Sequence, residues 1–179
     1  MHPAIEFLTL LDPSPVARFN IETFTDLPKG VSKPDTDPLL HRFPNQTRDQ
    51  VEALIPHLER LNEAGAAVFI AVNEFGFQRS KQNLMRIRGI HADMDGVSPE
   101  MLDAIRRKLA PTIEVESSGP ANVHMYWLLE VDEVLDLETA EAIHRQLVTL
   151  GADKAAIDVS RLLRLPGFRH MKYREGRAA

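Results

Sequence analysis

Gly89-Ile90-His91-Ala92-Asp93-Met94-Asp95-Gly96 alternates between small or apolar residues and polar ones with a period of two. That period belongs to an extended strand, whose successive side chains point to opposite faces. Ile90, Ala92 and Met94 share one face and are expected to pack on helices. His91, Asp93 and Asp95 share the other, with the two aspartate Cα atoms about 7 Å apart. Carboxylates held side by side repel, and each raises the pKa of the other. A divalent cation removes that conflict, so the pair reads as half of a metal site.

Outward from this stretch the pattern is regular. Arg86 to Asp95 is predicted as a strand. Ser98-Pro99 starts a helix, with proline at its first position and Met101, Leu102, Ile105 and Leu109 as its apolar stripe. Ile113–Ser117 is a second strand, followed by a turn at 118–122. Val123–Leu129 is a third, with Val123, Met125, Trp127 and Leu129 on one face and Asn122, His124, Tyr126 and Leu128 on the other. Asp136 caps a helix carrying Ala140, Ile143, Leu147 and Leu150, closed by Gly151. An extended segment runs from about Ile157 to Leu165. This β-α-β-β-α-β order is the split βαβ, RRM-like or ferredoxin-like arrangement: an antiparallel α+β sheet with two helices on one face and the other face open.

Upstream, residues 18–25 read as a short strand, and the proline-rich 26–46 as a long loop. Thr47 and Gln50 form a capping box before Val51, Leu54, Ile55, Leu58 and Leu61 at helical spacing. Pro56 predicts a kink or break in that helix. Residues 66–72 read as a buried strand. At 179 residues the chain is expected to be one domain, with an N-terminal α/β module over about 1–75 and an RRM-like module over about 76–173.

Composition removes several classes of function. The chain has no cysteine, which excludes disulfides, thiolate zinc sites and cysteine nucleophiles. It has no apolar run of transmembrane length and no signal-peptide start, so a cytoplasmic location without membrane association is expected. The net charge is −5, yet two basic blocks stand out: Arg79, Lys81, Arg86 and Arg88, then Arg161, Arg164, Arg169, Lys172, Arg174 and Arg177. Local patches of this kind bind phosphate whatever the total charge.

On the open face the chemically able residues are Asp93, Asp95, His124 and, from the last segment, Asp158. Oxygen ligands favour Mg²⁺ or Mn²⁺ over zinc, and two such ions are the usual device for phosphoryl transfer. Each residue has an ordinary alternative: a strand-end turn, a structural histidine, or a surface Asp158–Arg161 ion pair of little energetic value. Tyr126 shares the face of His124 and is placed to touch a ligand. Trp127 reads as core, and His91 as lining the sheet.

Three blocks sharpen the reading. They are Val72-Asn-Glu74 through Arg79, Asn83, Arg86 and Arg88 to Gly96; Ile113 through Ser117-Ser-Gly119 to His124-Met-Tyr-Trp127; and Asp158 through Arg161-Leu-Leu-Arg-Leu-Pro-Gly167 to Lys172. In this order they resemble the archaeo-eukaryotic primase superfamily, most closely the RepB-like primases and primase-polymerases of plasmids and phages. The resemblance covers about residues 66–173, with a weaker echo at 19–24. It implies a metal-dependent nucleotidyltransferase that makes primers on single-stranded DNA from nucleoside triphosphates. It further implies that Asp93, Asp95 and Asp158 hold two Mg²⁺ or Mn²⁺ ions, and that His124 contacts the nucleotide's triphosphate. By the same resemblance Ser118 and Gly119 bring a turn close to the nucleotide, and Arg161, Arg164 and Lys172 bind phosphate. Arg79, Arg88 and Tyr126 are weaker candidates for template contact. His91 and Ala92 stand where relatives usually carry bulkier apolar residues. Such relatives often carry a helical-bundle domain or a helicase, which are missing here and are therefore expected as partners. The same carboxylates also suit a metal-dependent nuclease. A non-catalytic RRM-like binding module is the third reading, and it requires exposed aromatics on the open face.

Overall fold

The stretch around Asp93 forms the strand that its alternation requires. The computed structural model describes residues 1–28, 31–32, 35–119, 122–130, 132–154 and 158–172. In it, β6 (Gly89–Asp95), α3 (Pro99–Lys108), β7 (Ile113–Gly119), β8 (Asn122–Leu128) and α4 (Leu137–Thr149) follow in the expected order. The sheet order is β6-β8-β7, antiparallel throughout. Ser98 and Asp136 cap the two helices, each accepting from the backbone N–H three residues on. Ile90, Ala92, Met94, Val123 and Met125 pack against Leu102, Ile105, Ala140 and Leu147 of those helices. The α+β architecture with antiparallel sheets is the one read from the sequence.

The N-terminal part contains α1 (Pro3–Leu11), β1 (Phe19–Thr25), β2 (His41–Gln46), α2 (Arg48–Glu63) and β3 (Ala66–Ala71). A short hairpin, β4 (Glu74–Phe75) and β5 (Leu84–Arg86), leads into β6. The capping box of α2 is reciprocal: the Gln50 N–H donates to Thr47 Oγ1 at 3.2 Å, and the Thr47 N–H to Gln50 Oε1 at 2.8 Å.

The structure departs from the sequence reading in several places. Residues 41–46, read as loop, form an edge strand, where Pro44 is tolerated because one side of the strand needs no ladder bonds. Pro56 does not break α2: Val51, Ile55, Leu58 and Leu61, on both sides of it, stay buried. The strand predicted from Arg86 begins at Gly89, the preceding residues belonging to the hairpin. Lastly, the closing extended segment does not complete the β6-β8-β7 sheet. Its start at Ile157 lies outside the described residues. Its strand, β9 (Leu162–Arg164), pairs with β3 in the sheet β2-β1-β3-β9. Leu163 and Leu165 gain burial there against the N-terminal core, which decides the pairing.

That exchange positions the site. The second face of the β6-β8-β7 sheet is not open along its length. Tyr126 is fully buried, its ring 5.3 Å from that of Phe7 of α1, and Ile113, Val115 and Leu128 pack on the same core. The end carrying Asp93 and Asp95 looks into a cavity, and β9 supplies the opposite wall.

Candidate active site

Strand register sets the first wall. Asp93 pairs with His124 across β6 and β8, and Asp95 with Asn122, which in turn pairs with Gly119 of β7. Gly96 continues past the pair at φ +70°, a conformation glycine adopts without strain, and its N–H donates to Asn122 Oδ1 at 2.9 Å. Gly119 thus lies level with Asp95. Pro120 and Ala121, at the tip of the predicted turn, lie outside the described residues.

The facing wall is basic. Arg161, Arg164 and Lys172, from β9 and its flanks, line a cavity of about 590 Å³ together with Asp93, Asp95 and His124. Asp26 anchors this wall: it accepts from Arg164 Nη2 at 2.7 Å and from the Met171 N–H at 2.9 Å. Burial opposes ionisation of Asp26, but the hydrogen bond and charge of Arg164 outweigh it and hold the carboxyl below its usual range. The Arg164 guanidinium also lies 5.2 Å from the Phe69 ring centroid, and Phe24 stacks on Phe69 at 4.4 Å.

Asp93 carries the electrostatic tension. Burial first, then the charges of Asp95 and Asp153, push its pKa from 3.8 up to about 6, against the pull of Arg161 and Lys172. His124 is pushed the other way, to about 4, by burial and the charge of Arg164. Its Nε2 lies 3.7 Å from Asp93 Oδ1. With those shifts the imidazole is neutral when Asp93 ionises, so the contact is not an ion pair.

Asp93, Asp95, His124, Arg161, Arg164 and Lys172 all line one cavity. Three other readings change. Asp158 is not in the cavity wall; its Oδ1 accepts from the Ser160 N–H at 2.9 Å in a local turn. Asp153 lines the cavity instead, and its N–H bonds the Asp93 carbonyl at 2.8 Å along the outer edge of β6. Residues 152–154 after the Gly151 cap had offered only a short polar turn, which is why Asp153 was missed. Tyr126, as a buried core residue, touches no template. Arg88 is equally unable to: its buried guanidinium bonds Asp12 Oδ2 at 2.7 Å and the Arg18 carbonyl at 2.5 Å. Arg79 does reach the cavity, held by Glu22 at 2.8 Å and the Ser160 carbonyl at 2.6 Å.

The RepB DNA-primase N-terminal domain matches residues 47–178. The chain belongs to that family. Among solved structures, primase RepB' superimposes with a TM-score of 0.68 at 23% identity, over 94% of this chain and 50% of that one. The catalytic domain of primase RepB' in complex with initiator DNA gives 0.65 at 23% identity, over 95% and 78%. The AEP domain of the cyanophage S-2L primase-polymerase gives 0.68 at 16%, over 94% and 83%. These likenesses establish a shared fold, and the chain spans about half the length of the first of them. No curated protein matches it in sequence.

Members of this family are expected to use divalent cations, and the donor set can be tested for that. Among the described residues no three Asp, Glu or His side chains stand close enough to enclose a metal ion. Mg²⁺ does not require such a cage: it commonly takes one or two carboxylates and completes its shell with water and substrate phosphate. Asp93 and Asp95 supply that minimum, and the repulsion from Asp95 and Asp153 that adds to burial in raising the Asp93 pKa is what a cation relieves. The residues fit the group.

Proposed function

We propose that the chain is the catalytic domain of a plasmid or phage DNA primase, possessing primase-polymerase activity, which joins nucleotides on a single-stranded DNA template. The observation that carries this reading is the division of the cavity: carboxylates on the β6 wall, and Arg161, Arg164 and Lys172 on the β9 wall. A nucleoside triphosphate needs both, a cation site at the α-phosphate and fixed positive charge along the β- and γ-phosphates. Because each wall comes from a different sheet, residues 1–179 act as one catalytic domain.

Asp93 and Asp95 would hold Mg²⁺ or Mn²⁺, with Asp153, rather than Asp158, as the further acid in the cavity wall. Bound there, the cations would supply the Lewis acidity that favours ionisation of the attacking hydroxyl and offsets the charge of the departing pyrophosphate. Arg161, Arg164 and Lys172 bind the triphosphate and keep the α-phosphorus in line with the 3′-hydroxyl of the growing strand. The neutral His124 donates one ring N–H to a phosphate oxygen. The Gly119 end of β7 admits the nucleotide close to the backbone. The 3′-hydroxyl gives up its proton to water as its oxygen bonds to the α-phosphorus, the bond to the bridging oxygen breaks, and pyrophosphate leaves. A helicase or helical-bundle partner would serve start-site choice.

The test is nucleotide incorporation on single-stranded DNA with each metal and each nucleotide type. Asp95→Asn is expected to lower incorporation by at least about 1000-fold with the fold intact by circular dichroism. Asp153→Asn should impair incorporation far more than Asp158→Asn. Full activity of Asp95→Asn sinks the reading, and metal-dependent shortening of the strand, with no extension, indicates a nuclease instead.

A further inference from the structure

A second cavity, of about 450 Å³, lies beside the first, and Arg79 lines both. Its other walls include Arg42, Gln78 and Phe77. Phe77 is 78% exposed, whereas Phe7, Phe19 and Phe75 are almost wholly buried. It is the only aromatic ring exposed among the described residues. The ring stands on the β4–β5 hairpin, whose tip is tied down. The Gly76 N–H donates to the Asn83 carbonyl at 2.9 Å, Asn20 Nδ2 to the Gly76 carbonyl at 3.1 Å, and Asn83 Nδ2 to Ser80 Oγ at 3.1 Å. An apolar ring held out in water by an ordered hairpin has no role in the core.

The charges nearby are unequal. Glu22 accepts from Arg79 Nε at 2.8 Å and lies 3.7 Å from Arg42 Nε. One carboxylate thus faces two guanidiniums, and the Arg42 side chain is 66% exposed. An exposed ring beside a net positive charge matches a single-stranded nucleotide, whose base stacks on the ring while its phosphate meets the guanidinium. A duplex lacks the free base face that this contact requires.

We propose that this cavity is a template subsite, in which an unpaired base of the single-stranded DNA stacks on Phe77 and the adjoining phosphate pairs with Arg42. The strand then passes the shared Arg79 wall into the catalytic cavity. Calling the bound strand a template rests on the primase reading; the binding itself does not.

Fluorescence anisotropy with a labelled oligothymidylate tests the subsite in the full chain. Phe77→Ala and Phe77→Leu should each weaken binding by about 5- to 100-fold, while Phe77→Trp retains it. Arg42→Gln should reduce the slope of log affinity against log salt by about 0.7. Melting temperatures should be unchanged for all four, because both side chains are exposed. No binding by the wild type, or equal binding by Phe77→Ala, overturns the proposal, as does wild-type affinity in Phe77→Leu. Unaltered DNA affinity would turn the hairpin towards a protein partner. Incorporation on the same oligonucleotide separates the two readings. Binding through Phe77 without incorporation defeats the primase and leaves the subsite standing; incorporation indifferent to Phe77 does the reverse.

Discussion

At the residue scale the decisive group is Asp93, partly buried among like charges. Its pKa rises from 3.8 in the unfolded chain to about 6 in the folded one. The folded state therefore favours the protonated form, and the stability it contributes is complete below about pH 4 and lost as pH climbs through 6. In chelator, Asp93→Asn should gain at most about 3 kcal/mol at pH 7.5, seen as a raised melting temperature, and nothing near pH 4. Adding Mn²⁺ at pH 7.5 should stabilise the wild type and not the variant. A gain that is the same at both pH values would remove Asp93 from the account. Asp93, Asp95 and His124 were legible in sequence because period-two alternation is local. Asp153 was not, since a turn residue after a helix cap has no period to betray its direction.

At the scale of elements, β6 is the part that must not move, because its register against β8 puts Asp93 opposite His124. Gly89 begins that strand. A Cβ there would stand 2.3 Å from the Trp127 carbonyl oxygen and 2.9 Å from the Leu128 Cα. Both are backbone atoms of the partner strand, so the strand itself would have to give way. Gly89→Ala is expected to cost about 1–3 kcal/mol or more in urea unfolding and to lower nucleotide incorporation through the displaced acids. Unchanged stability and activity would show that the strands separate there without consequence. The helices α2, α3 and α4 were readable from caps and apolar spacing. α1 was overlooked, although Pro3 at its start and Ala4, Phe7, Leu8 and Leu11 on its buried side carry the same signature in nine residues. β2 was hidden by its proline, which only an edge position excuses.

Across the whole molecule, Arg88 and Asn73 join the two halves. Asn73 is fully buried; its Nδ2 donates to the Val159 carbonyl at 3.0 Å and its Oδ1 accepts from the Arg88 N–H at 3.0 Å. Arg88 pairs with Asp12 at the end of α1 and with Glu74 on the hairpin. Burial works against the Asp12 charge, but the hydrogen bond and charge of Arg88 overcome it and lower its pKa below 3.8. Its contribution is thus present above that value and fades as pH falls below it. Arg88→Met should destabilise by at most about 3–5 kcal/mol at pH 7, because it leaves the buried Asp12 carboxylate with only the half-exposed Arg86 as ionic partner. The deficit should narrow below pH 4, as Asp12 protonates in both proteins, and Asp12→Asn combined with Arg88→Met should recover part of it. Equal stability of Arg88→Met and wild type would show that the halves hold together without the pair.

The amino-acid sequence by itself determined the β6-α3-β7-β8-α4 core, the face on which Asp93, Asp95 and His124 lie, and the basic character of residues 161–172. Each of these follows from side-chain periodicity or short-range capping, which a single segment contains. Tertiary structure alone decided the partner of β9, the burial of Tyr126 and Arg88, and the presence of Asp153, and not Asp158, in the cavity wall. The pairing of β9 depends on which sheet gains more apolar burial from Leu163 and Leu165, and the burial of Tyr126 and Arg88 on Phe7 and Asp12 of the N-terminal segment, comparisons between distant segments that no local pattern encodes.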